Sequence, residues 1–157
     1  MAYDILSTVY LEIDDIPLAT PAWEITNLAP LLDGSEVRGS NRLIPGAAGV
    51  VAYPRRVTET RVLLPIEIRG YEDPEGDAYD DPFEGLEANL ALLVDSLITP
   101  GVDATRDAVL YLPSGGTRTG PVQIVAPLGL RTAGRYVLTG VLDLLLPEGQ
   151  LVLTGSA

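Results

Sequence analysis

Between Val57 and Arg69 the sequence VTETRVLLPIEIR alternates. Thr58, Thr60, Val62, Leu64, Ile66 and Ile68 share one parity, and Val57, Glu59, Arg61, Leu63, Pro65, Glu67 and Arg69 share the other. A period of two is the signature of a strand with one face buried, so this segment commits the chain to a sheet with a core on one side only. Pro65 falls on the outer parity and has no amide hydrogen to give to a ladder. That places the strand near a sheet edge or at a bulge.

The rest of the chain has the same texture. Ile5 to Ile13 (ILSTVYLEI) is β-rich and ends in a turn at Asp14, Asp15 and Pro17. Ala22 to Leu28, confined by Pro21 and Pro30, reads as a second short strand or a packed entry loop. Ala108 to Leu112, Thr117 to Val125 and Tyr136 to Leu146 read as strands, the first two joined by a hairpin through Ser114-Gly115-Gly116. A terminal strand follows at Leu151 to Leu153. Only one helix is expected, over 82–98, with Asp80 or Asp81 as N-cap. Glu84 and Glu87 lie in its first turns, Phe83, Leu86, Leu90, Leu93, Val94 and Leu97 form its apolar face, and Pro100-Gly101 stops it. With one helix, parallel βαβ winding is excluded. The expected fold is mainly β, a sandwich or rolled sheet with a flanking helix, as a single domain over 1–157.

Composition narrows the chemistry. The chain has no cysteine and no histidine, and all its basic residues are arginine. Disulfides, thiolate or imidazole metal sites, Ser-His-Asp and Cys-His catalysis, P-loop lysines and Schiff bases are therefore excluded. A hydrophobic fraction of 46 % suffices for one core without staples, and an aromatic fraction of 6 % means that core is aliphatic. A formal charge of -12 opposes phosphate neutralisation. The apolar runs are too short for a membrane span, and the N-terminal residues lack a signal-peptide pattern, so a soluble protein made in the cytoplasm is expected.

Two chemical readings stay open beside the structural one. The run Glu72, Asp73, Glu75, Asp77, Asp80, Asp81 offers oxygens for calcium, although its spacing misses the EF-hand pattern and Asp73-Pro74 and Asp81-Pro82 read as turns with helix capping. Paired carboxylates serve glycosidases, yet no pair stands out, and one Trp, one Phe and dispersed Tyr residues make a weak sugar platform. The favoured expectation is no cofactor, no metal and no catalytic residues.

Charge is segregated along the chain. Arg38, Arg42, Arg55, Arg56, Arg61 and Arg69 precede the acidic run, within and after a stretch from Leu32 to Pro54 broken by Gly34, Gly39, Pro45, Gly46, Gly49 and Pro54. A long loop of that kind is functional or bound to something. A basic patch for nucleic acid is one reading. The other, favoured by the overall charge, is that basic and acidic surfaces complement each other between neighbouring copies in a head-to-tail contact. The candidate interface residues are Arg38, Arg42, Pro45, Arg55 and Arg56 on one side and Asp73, Asp77 and Asp80 on the other.

Several segments carry a resemblance. They are Trp23 to Leu31 (WEITNLAPL), Arg38 to Gly46 (RGSNRLIPG), Leu63 to Gly70, Gly85 to Leu90 (GLEANL), Ala108 to Pro113 (AVLYLP) and Gly120 to Gln123 (GPVQ). In order and texture the chain resembles tail proteins of siphophages that infect actinobacteria, the tail-tube and distal-tail family. The resemblance implies a tail-tube-like β-sandwich with a flanking helix. It implies a structural virion protein of the tail, a homo-oligomer in stacked hexameric rings whose inner sheets join into a barrel, with other phage tail proteins as partners and genome DNA passing the lumen unbound. Residues 33–56 match the long loop that reaches a neighbouring ring. A major tail tube subunit ranks first on this reading and a distal-tail or minor tail protein second. A small carbohydrate- or calcium-binding β-sandwich is the remaining alternative.

Overall fold

The computed structural model describes residues 9–32, 37–38, 41–43, 50–52, 56–57, 59–98 and 104–155. In chain order the elements are β1 (Tyr10–Ile13), β2 (Ile16–Pro17), β3 (Trp23–Ile25), α1 (Ala29–Leu32), β4 (Val37–Arg38), β5 (Asn41–Leu43), β6 (Val50–Ala52), β7 (Arg56–Val57), β8 (Thr60–Arg69), α2 (Pro82–Leu97), β9 (Thr105–Tyr111), β10 (Thr117–Ile124), β11 (Arg131–Gly134), β12 (Val137–Leu146) and β13 (Val152–Gly155).

Among the described residues nine of these strands form one antiparallel sheet in the order β2-β1-β9-β10-β12-β8-β3, with β11 added to β12 and β13 to β10. The sheet curls. The Leu18 amide donates to the Leu11 carbonyl at 2.9 Å, and the Ile25 amide donates to the Leu18 carbonyl at 3.0 Å. The backbone just after β2 thus bridges the two ends of the sheet. The architecture is mainly β, a curled half-barrel with one main helix; of the sandwich and the rolled sheet, the rolled sheet is the one found.

β8 shows why. Val62, Leu64, Ile66 and Ile68 are buried, while Arg61 and Leu63 are exposed. Every residue of β8 pairs in unbroken register with β12, from Thr60 opposite Leu146 to Arg69 opposite Val137. The inward residues of β12 (Leu142, Leu144, Leu146) thereby stack beside those of β8, and Leu11, Ile13, Leu110 and Val122 complete a mainly aliphatic core to which Trp23 adds an aromatic ring. Pro65 sits at an edge position with no bulge. Its other neighbour, β3, pairs only with residues 66–68, and the Pro65 carbonyl receives the Thr26 amide just beyond the end of β3. Pro121 follows the same logic: β13 accompanies β10 as far as Thr119 and β12 takes over from Gln123, so the proline occupies the break.

α2 begins as expected. Pro82 is in its first turn, and the Asp81 side chain accepts the Phe83 amide at 3.0 Å. Its buried stripe is rotated from the expected one: Gly85, Asn89, Leu93 and Leu97 face inward, Leu86 and Leu90 flank them half-buried, and Phe83 is exposed. The reason is the Gly70–Gly85 contact. A Cβ on Gly85 would overlap the Gly70 carbonyl and the Tyr79 ring, and one on Gly70 would overlap the Pro82 carbonyl. With both glycines, helix and strand end come close enough for Asn89 to point inward.

Within 37–57 the described residues are short strand pieces that pair as two ladders. β4 pairs with β7 (Val37 opposite Val57, Arg38 opposite Arg56), and β5 pairs with β6 (Asn41 opposite Ala52, Leu43 opposite Val50). Two residues separate β4 from β5 and three separate β6 from β7, which shifts the register by one. This two-stranded arm stands outside the nine-stranded sheet. The expected strand from Ala22 to Leu28 shortens to β3, residues 5–8 lie outside the described ones, and β2 and β11 were not expected.

Candidate interaction surface

The outward parity of β8 and β12 forms a face with an apolar centre and charged ends. Pro65 lies opposite Val141 and Leu63 opposite Asp143; Leu63 is 54 % exposed and Val141 41 %. At one end Arg61 holds Asp143 through both carboxylate oxygens, with Nε to Oδ1 at 2.7 Å. Asp143 itself is buried on this face, and the pair raises the Arg61 pKa further above its ordinary value by direct hydrogen bonding. At the other end Arg69 bridges Glu67, at 2.7 Å, and Glu24 on β3. Two of the six arginines that the sequence assigns to a complementary surface are thus satisfied within the subunit.

The remaining expected interface residues divide. Arg38 and Arg56 are register partners in the β4–β7 ladder, and Arg42 lies in β5. Pro45 and Arg55 lie outside the described residues. On the acidic side, Asp77 and Asp80 are exposed, whereas Asp73 organises the loop. Its Oδ1 accepts the amides of Glu75 at 3.0 Å and Asp77 at 2.8 Å, and its own amide donates to the Asp77 carbonyl. Gly76, at φ 94°, closes this turn. Among the described residues no three acidic side chains converge as a metal cluster.

The loop is tied down by a residue that the sequence reading passed over. Asn89 is fully buried. Its Nδ2 donates to the carbonyls of Arg69 (2.6 Å) and Glu72 (2.9 Å), and its Oδ1 accepts the Tyr79 hydroxyl at 2.8 Å. Burial, aided by Asp73 and Glu75, pushes the Tyr79 pKa up, which keeps that hydroxyl protonated as a donor. The four-residue spacing of Gly85, Asn89, Leu93 and Leu97 was the available signal; a polar residue on the stripe hid it.

Beside this loop lies an aromatic cluster, also missed because its members are far apart in sequence. Tyr136, in the β11–β12 turn, meets Tyr71 edge-on at 5.6 Å and Phe83 at 4.8 Å. The Arg135 guanidinium lies 5.5 Å over the Tyr136 ring. Tyr71 and Phe83 are each about half exposed, at 49 % and 51 %.

Two open grooves flank residues 127–130. One, of about 510 Å³, is lined by Pro127, Leu128, Arg131, Thr139, Val141 and Asp143; the other, of about 270 Å³, by Val94, Ile98, Pro127, Leu128 and Leu130. The carboxylate in the first is engaged by Arg61, the second has no ionisable group, and neither is lined by an aromatic ring. The polar groups here hold structure.

With this geometry the chain can be set beside known proteins. It shares its fold with SPP1 Dit. The crystal structure of SPP1 Dit (gp 19.1), described as a paradigm of the hub adsorption apparatus in phages infecting Gram-positive bacteria, matches 90 % of this chain with a TM-score of 0.54 and 12 % sequence identity. The chain spans about half of SPP1 Dit, 50 % of its length. No protein-family model and no curated protein matches the chain. At this identity the likeness to Dit is one of fold.

Proposed function

We propose that this chain is a structural subunit of a phage tail, of the distal-tail type, that acts as a ring of identical copies. The observation that carries the reading is the fold match to SPP1 Dit over nine-tenths of the chain. It favours the distal-tail reading, second in the order suggested by sequence, over the tube subunit, because the matched structure is that of a hub protein. Residues 1–157 act as one domain, the arm within 33–56 reaches a neighbouring copy, and the other partners are tail proteins. Arg38, Arg42, Pro45, Arg55 and Arg56 oppose Asp73, Asp77 and Asp80 across that contact. A formal charge of -12 suits a channel that DNA passes without adhering.

Two further observations support a structural role over an enzyme or a sugar-binding module. The carboxylate that lines a groove, Asp143, is engaged by Arg61, and the exposed rings of Tyr71 and Phe83 pack on Tyr136 instead of lining a cleft. Sedimentation velocity of the purified chain over a concentration series tests the reading. A discrete closed oligomer is expected; a monomer at every concentration contradicts it.

A further inference from the structure

The curl of the sheet is closed by a short hairpin. β1 and β2 are joined by Asp14 and Asp15, both at positive φ (49° and 64°), in a two-residue turn of the type I′ class. The closure then runs through the Leu11–Leu18 and Leu18–Ile25 backbone bonds and the Trp23 indole, whose Nε1 donates to the Pro17 carbonyl at 3.0 Å. On its other side β1 holds β9 through four residue pairs, against ten between β8 and β12.

Arg106 stands where this hairpin meets β9. It shares the inward parity of β9 with Ala108 and Leu110, and only 3 % of its side chain is exposed. Its Nε lies 3.6 Å from Asp14 Oδ2, beyond hydrogen-bond reach, and among the described residues its Nη1 is buried without a hydrogen-bond partner. The Asp14 carboxylate is also committed elsewhere, since Oδ1 accepts the Asp107 amide at 3.0 Å. A guanidinium shut away from water and incompletely paired raises the energy of the closed state, and it regains its hydration when β1 lifts from β9. Asp15 works in the same direction, because this turn favours glycine at its second position. Leu11, Ile13 and Leu18 are buried and oppose release, which keeps the open form a minor state. We propose that the β1–β2 hairpin is a clasp that opens while β8, β12 and α2 stay folded, with Arg106 setting how readily it does so. Its release parts the two ends of the curled sheet. The inference is independent of the ring reading, since every group in it lies within one subunit.

The test is hydrogen exchange of the full chain, read by mass spectrometry at neutral pH on wild type, Arg106→Met, Asp15→Gly and Ile66→Val, each checked for cooperative thermal unfolding. In wild type the amides of residues 10–18 are expected to exchange at least about tenfold faster than those of β8 and β12, the mark of an opening below global unfolding. Arg106→Met replaces the buried charge by an apolar chain, so exchange over 10–18 should slow about tenfold. Asp15→Gly should slow it by about threefold. Ile66→Val, a mild core change at a fully buried position, should quicken β8 and β12 about fivefold and leave 10–18 unchanged, because Ile66 stays buried when the clasp opens. Wild-type exchange over 10–18 that matches β8 and β12, or that rises with them in Ile66→Val, overturns the clasp. Exchange that Arg106→Met leaves unchanged or quickens, or loss of cooperative unfolding in that variant, shows that the guanidinium holds the hairpin closed and overturns the role given to Arg106.

Discussion

β8 and the arm are both antiparallel ladders, yet one pairs over ten consecutive residues and the other over two and three. β8 places Val62, Leu64, Ile66 and Ile68 in the core against β12 through ten consecutive pairs. The arm pairs in two short pieces with a register shift between them, carries glycine and proline around them in sequence, and among the described residues joins no strand of the nine-stranded sheet. A two-stranded ribbon of this kind is marginal on its own in water. The difference teaches where each region finds its stability: the curled sheet is held by its own core, and the reading proposed above assigns the arm to the contact with a neighbouring copy.

Substitutions should separate the two regions in order of effect. Leu64→Ala, at a fully buried position, is expected to cost about 3 kcal/mol in denaturant unfolding, the typical cost of a cavity in an aliphatic core. Asn89→Ala should cost about 2 kcal/mol, because two carbonyls and the Tyr79 hydroxyl lose their partner, and hydrogen exchange should then quicken in the loop from Glu72 to Asp81. Deleting Gly39 to Val51 should shift stability by about 0.5 kcal/mol or less while abolishing assembly. Loss of cooperative unfolding in that deletion would place the arm inside the fold and erase the comparison.

The smallest effect concerns pH. The folded Tyr79 pKa is raised above its ordinary value of 10.0, so the folded state holds this proton more firmly than the unfolded chain. Its contribution is complete below about pH 10 and falls as pH rises from there, since the unfolded chain loses the proton first. Tyr79→Phe should flatten that alkaline decline while leaving the neutral-pH unfolding curve nearly parallel to wild type; an unchanged alkaline slope would remove Tyr79 from the account.

What the sequence disclosed follows the same division. The parity of β8, the edge position of Pro65 and the capping of α2 by Asp81 were legible because each depends on local spacing and on burial against this chain's own core. β11 was not, since all four of its residues are exposed and give no alternation. β2 was hidden for a related reason: Asp14 and Asp15, at φ 49° and 64°, form the turn read from sequence, but the strand behind it is only two residues long and contains a proline. The aromatic cluster required the β12–β8 register to bring Tyr136 beside Tyr71. Asn89 required the Gly70–Gly85 contact to turn the helix. Both depend on tertiary distances that no spacing along the chain encodes.

The central claim is that this chain works as copies in a ring. Negative-stain electron microscopy of the purified full-length chain, across a concentration series and paired with light scattering, tests it most directly. The account predicts closed rings with a central opening that disappear when residues 39–51 are deleted. Monodisperse single subunits at every concentration, with the arm intact, would contradict it.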